Sequence, residues 1–156
     1  MPITNFWQKH NLTIMIQRIQ SIWLLLASVT AFLTMQFPFY TGHLVTDSLN
    51  TLALTPLTAV TSIPIVTLTV ASAIASLITI FLYKDRKMQM RITAANIIIS
   101  IIIIALYFLY IKNNYKEMSL PLITCVFAFA IPAFLVLAFR GIFKDNRLVK
   151  SVDRLR

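Results

Sequence analysis

Side chains able to pass a proton, attack a carbonyl or hold a metal are few in this sequence: five acids, two histidines and one cysteine among 156 residues. The acids are Asp47, Asp85, Glu117, Asp145 and Asp153. His10 and His43 have no acidic or cysteine cluster around them, so the ligand set of a zinc enzyme is missing. Cys125 sits in an apolar run, where a thiol acts as a small packing group. Catalysis inside a membrane needs acids, bases or nucleophiles at depth, and the interiors of the long apolar runs contain no Asp, Glu, His, Lys or Arg. Glu117 lies at the mouth of the last run. It is either the carboxylate of a proton-coupled exporter or a surface group paired with Lys112 and Lys116. The reading is a non-enzyme without cofactor or metal.

The polar groups that do lie inside the runs are neutral and regularly spaced. Ser62, Thr69, Ser72, Ser76 and Thr79 recur at three, four and seven residues in one run. Thr93, Asn96, Ser100, Tyr107 and Tyr110 do the same in the next, and Ala27, Ala31 and Thr34 form a narrow small-residue face in the first. Small and hydroxyl side chains let helix backbones approach and bond across the gap, each bond contributing about 0.6 kcal/mol in a membrane. Two readings follow: a helix-packing seam, or a polar groove for a lipid headgroup or small solute anchored by Asn96.

Basic residues dominate the end of the chain. Arg140, Lys144, Arg147, Lys150, Arg154 and Arg156 share residues 140–156 with Asp145 and Asp153. Asp145 or Asn146 is placed to cap a new helix after Gly141. Leu148, Val149, Val152 and Leu155 would then form an apolar stripe with most of the basic groups away from it, the pattern of a helix lying in the membrane surface. Each basic group near an anionic leaflet adds about 1 kcal/mol. Anionic lipid headgroups are the first expected partner, a membrane or cytoplasmic protein the second; nucleic acid is not expected.

The elements that position these groups follow from composition. Hydrophobic residues make up 58% of the chain and charged ones 12%, about half the charged share of a soluble domain. Apolar runs cover about residues 20–40, 63–83, 92–111 and 120–139, each about the twenty residues that cross a hydrocarbon core as a helix. The connector between the second and third carries Lys84, Arg86, Lys87 and Arg91 and is short enough to force an antiparallel hairpin. Residues 38–62 form the longest connection, with short strands expected at 43–46 and 51–54. Pro38 is expected to close the first span, leaving Phe39 and Tyr40 at the interface, where Tyr107 and Tyr110 also belong. With both termini inside, twelve of the 14 Lys/Arg lie on the cytoplasmic side, and only Lys112 and Lys116 cross.

Three stretches carry a family resemblance: residues 15–26, which open the first span; 81–91, with Lys84-Asp85-Arg86-Lys87; and 137–156, with Lys144-Asp145 and Ser151-Val152-Asp153-Arg154-Leu155-Arg156. Together they resemble a family of small four-span membrane proteins of Bacteroidota known as domain of unknown function 4293. The resemblance covers residues 15–156. It implies a bacterial inner membrane and no known activity, so no residue role is carried over. The expected fold is all-α: a single membrane domain over 1–156, an integral four-helix bundle with a basic amphipathic interfacial helix at its C-terminal end. The expected role is an accessory or scaffolding component of an inner-membrane assembly. The alternative is a small transporter or lipid-binding protein using the Asn96 face.

Overall fold

A computed structural model describes residues 4–42, 55–83, 85–115 and 125–153, with side chains for 19–42, 55–83, 85–115 and 125–147. Four helices carry the fold: α1 Thr4–Gln36, α2 Ile63–Phe81, α3 Arg86–Asn114 and α4 Cys125–Asp153. Each contains a stretch long and apolar enough to cross a membrane, so this is a multi-pass membrane protein. Consecutive helices pack side by side, and α1 against α4 closes the ring into a four-helix bundle.

Local chemistry sets the helix ends. α1 stops at Gln36 because Pro38 disfavours helical backbone at Phe37. α2 opens with Pro64 in its first turn, where a missing N–H costs nothing. Asp85 caps α3, its carboxylate accepting from the Met88 amide at 3.2 Å while its carbonyl accepts from Gln89 at 2.9 Å. The α2–α3 connection is therefore tighter than the eight-residue basic stretch around it, since that stretch is already helical from Arg86 onward.

The bundle is apolar outside, and its interior mixes apolar clusters with buried polar groups. Ile22, Leu25, Val29 and Phe32 of α1 and Ile98, Ile101 and Ile102 of α3 are exposed, the surface expected to meet lipid. Leu24, Ala27, Ala31, Ala73, Ile131, Leu135 and Ala138 form one core cluster toward the end that carries Arg86 and Asp145, the basic end. A second cluster fills the opposite, aromatic end around Phe39, Leu57, Tyr107 and Tyr115.

A two-stranded antiparallel sheet caps the aromatic end. β1 (Tyr40–Gly42) pairs with β2 (Thr55–Leu57) in the register Tyr40 to Leu57 and Gly42 to Thr55. Gly42 is needed there because a Cβ would come within 2.8 Å of the Tyr115 ring. The strands expected at 43–46 and 51–54 lie outside the described residues, and the observed strands flank them. Phe39, Tyr40 and Tyr107, expected from the sequence at the membrane interface, turn into the protein at this end of the bundle. All three are buried, and Phe39 stacks on Tyr107 with ring centroids 4.4 Å apart. The cap folds these aromatic rings back over the end of the bundle, where they pack against protein.

The chain end also departs from expectation. α4 runs unbroken through Pro132 and Gly141 to Asp153, so no separate helix starts at Asp145 or Asn146. Gly141 faces Gln20 of α1, where a Cβ would lie 2.8 Å from the Gln20 Cγ. The glycine serves close approach between helices rather than termination. The apolar stripe expected from Leu148, Val149 and Val152 involves side chains outside those described, and Leu155 lies beyond the described residues altogether.

Candidate functional site: a neutral seam and a charged junction

The α2–α3 interface gathers the neutral polar residues. Thr69, Ser72, Ser76 and Thr79 on α2 and Thr93, Asn96 and Ser100 on α3 are each at most 1% exposed. Their spacing, three-four-three on α2 and three-four on α3, places them on the facing stripes of two antiparallel helices. Most satisfy themselves within their own helix. Thr69 donates to the Ile65 carbonyl at 2.7 Å, Ser76 to Ser72 at 2.9 Å, Thr79 to Ala75 at 2.6 Å, Thr93 to Gln89 at 2.8 Å and Ser100 to Ile97 at 2.7 Å.

Asn96 reaches across. Its Nδ2 donates to the Ser72 carbonyl at 3.1 Å and to the Ser76 hydroxyl at 2.9 Å. Gln89 makes a similar crossing to the Thr79 carbonyl at 3.2 Å, and Ser28 of α1 donates to the Ala73 carbonyl at 3.2 Å. Two buried atoms of the seam, Asn96 Oδ1 and Ser72 Oγ, have no partner among the described residues, nor does the Tyr107 hydroxyl beyond it. Ser62 and Tyr110 are only partly buried, at the seam's aromatic end.

A second site lies at the basic end, where α1, α3 and α4 converge. Arg86 Nε meets Asp145 Oδ2 at 3.2 Å, the one ion pair among the described residues. Asp145 is 2% exposed and Gln20 3%, whereas the Arg86 side chain is 27% exposed. Three buried atoms here lack a partner among the described residues: Gln20 Nε2, Arg86 Nη1 and Asp145 Oδ1. An unmet buried polar atom costs about 1–3 kcal/mol, more when charged. The junction therefore holds less hydrogen bonding than its donors and acceptors can make.

Sequence reasoning placed the seam and missed the junction. From the sequence Asp145 reads as a helix cap, and Gln20 carries no assigned role. A signal was present, because Ile131, Leu135, Ala138 and Ile142 step by four, three and four, and Asp145 is the next position on that face. An acid there points into the bundle.

The basic groups expected at a surface are outside the core wherever they are described. Arg140, Lys144 and Arg147 are exposed on α4, and Lys87 and Arg91 are exposed on α3. Lys150 belongs to α4 but its side chain is outside those described, as are Arg154 and Arg156. Glu117 and His43 also lie outside the described residues. Cys125 is partly buried at the aromatic end, beside the core there.

No curated protein and no solved structure matches the chain. A family model does match, over residues 16–155, and its description is Domain of unknown function (DUF4293).

Proposed function

The chain belongs to the DUF4293 family, and from the placement of its charges we propose that it is a non-enzymatic accessory or scaffolding component of a bacterial inner-membrane assembly. In this reading the basic end faces the cytoplasm with both termini, because Lys84, Arg86, Lys87, Arg91 and the basic residues of 140–156 resist translocation. The observation that carries it is the length of α4. Arg86 pairs with Asp145, so the α2–α3 turn is level with Asp145, and α4 continues eight residues further, about 12 Å. α1 also starts well before Gln20, at Thr4. α1 and α4 thus overshoot the α2–α3 hairpin on one side and offer a basic projection to anionic headgroups or to a partner protein.

The test is truncation after Arg147, which keeps Asp145 and every described core contact. In mild-detergent purifications from native membranes, the full chain is expected to retain a partner that the truncated chain loses. Retention of the same proteins by both forms would refute the projection as the docking element. A reporter fused after Arg156 is expected to be active only in the cytoplasm.

A second reading has its own observation, the unpaired Asn96 Oδ1 and Ser72 Oγ at the middle of the seam. In that reading Asn96 anchors a lipid headgroup or small solute in transit. Replacing Asn96 with Leu then abolishes ligand retention while the bundle still assembles; failure of assembly with no change in retention would leave Asn96 a packing residue.

A further inference from the structure

From the Gln20–Arg86–Asp145 junction we infer a binding site for the headgroup of an aminophospholipid, a phosphoethanolamine bearing a primary ammonium. The inference is independent of the scaffolding role.

The level in the membrane is the first ground. The junction sits beside the α2–α3 turn, and exposed Lys87, Arg91, Arg140 and Lys144 lie within five residues of Arg86 or Asp145 along the same helices, a density of charge that belongs at the depth of phosphates rather than of acyl chains. The second ground is the set of unmatched atoms. Arg86 Nη1 and Gln20 Nε2 are donors, and Asp145 Oδ1 is a carboxylate acceptor, with Gln20 and Asp145 both more than nine-tenths buried. A ligand that satisfies all three must present an anionic oxygen to the two donors and an N–H or O–H to the acid.

Charge narrows the choice. At the buried atoms Arg86 and Asp145 sum to zero, so a zwitterion matches them one for one, while the exposed bases outside draw the phosphate of every headgroup alike. In phosphoethanolamine two carbons separate the phosphate ester oxygen from the ammonium, a short dipole suited to a neighbouring guanidinium and carboxylate. The phosphate oxygens accept from Arg86 and Gln20, and the ammonium donates to Asp145 in a charge-assisted bond. Phosphocholine carries the same two charges but has no N–H to give. Phosphoglycerol has hydroxyl donors but is a net anion.

Entry requires one movement. The three atoms are covered in the closed arrangement, and Arg86 is the lid because its side chain is 27% exposed and holds Asp145 through one contact of 3.2 Å. Turning outward toward a phosphate uncovers Asp145, while Gln20 of α1 lies beside Gly141, one turn back along α4. Gly141, on the same face as Asp145 and one turn before it, adds no side chain between α1 and α4 at this point.

The experiment uses the full chain in mild detergent and native mass spectrometry, titrated with phospholipids of identical acyl chains. The headgroups are ethanolamine, its N-methyl and N,N-dimethyl forms, choline and glycerol. Retention is expected to fall as N–H groups are removed, with ethanolamine favoured over choline by about tenfold, the worth of one charged hydrogen bond. Asp145→Asn should erase the ethanolamine–choline difference, while Lys87→Gln with Arg91→Gln should weaken phosphoglycerol binding and leave that difference intact. Equal retention of ethanolamine and choline by the wild-type chain would overturn the proposal, as would strongest retention of phosphoglycerol. The methylation series needs no variant, so a poorly folding Asp145→Asn protein does not spare the idea.

Discussion

The seam between α2 and α3 and the junction at the basic end are both buried and polar, yet they are built on opposite terms. In the seam the groups are neutral and hydroxyl-rich, and a helix can satisfy them with its own carbonyls before any neighbour arrives. In the junction the groups are a carboxylate, a guanidinium and an amide, which no helix satisfies alone; three of their atoms go unmatched, two of them on charged groups, against the neutral Asn96 Oδ1 and Ser72 Oγ in the seam. Neutral hydroxyls in membrane helices therefore act mainly as small spacers, and specificity falls on the few groups that must look outside their own helix.

The largest effect should come from splitting the ion pair. Arg86→Ala leaves Asp145 buried without its partner and is expected to destabilise the bundle by about 3 kcal/mol in thermal unfolding in detergent. Replacing both members with apolar residues of similar volume should recover most of that loss. If Arg86→Ala costs no more than a seam substitution, the contrast between the regions fails.

Next comes the glycine at the junction. Gly141→Ala gains about 1 kcal/mol of helix propensity but drives a Cβ against the Gln20 Cγ, for a net loss of about 1 kcal/mol. Adding Gln20→Ala should turn that loss into a gain, which a melting-temperature series would read directly. A stabilising Gly141→Ala on its own would mean α1 and α4 do not approach as closely as described.

Asn96→Leu removes two bonds to α2 and should cost about 1 kcal/mol, measured as the loss of unfolding free energy in mixed micelles. Smallest is Thr69→Val, whose hydroxyl serves only its own helix; a change of about 0.5 kcal/mol or less is expected in the same assay. A large Thr69→Val effect would mean the seam hydroxyls matter for more than size.

Much of the architecture was legible because its signals are local. The exclusion of charge from about twenty residues at a time marked the four spans, and Thr69, Ser72, Ser76, Thr93, Asn96 and Ser100 declared their shared faces by spacing alone. Phe39, Tyr40 and Tyr107 misled because amphipathic rings suit an interface and a core equally well. Their burial came only with tertiary contacts: Phe39 stacks on Tyr107 of α3, and Tyr40 pairs with Leu57 in the sheet.

Gly141 and Asp145 misled for a related reason. After a helix, glycine followed by Asp or Asn reads as stop and restart, and nothing nearby in the chain argues otherwise. Hydropathy and helical period are sums over neighbouring residues, so sequence alone determined that there are four apolar helices and which stripe of α2 and α3 turns inward. Which residue of α1 stands opposite Gly141, and which base of α3 reaches Asp145, depends on the register between helices more than fifty residues apart. That register exists only once the bundle has closed.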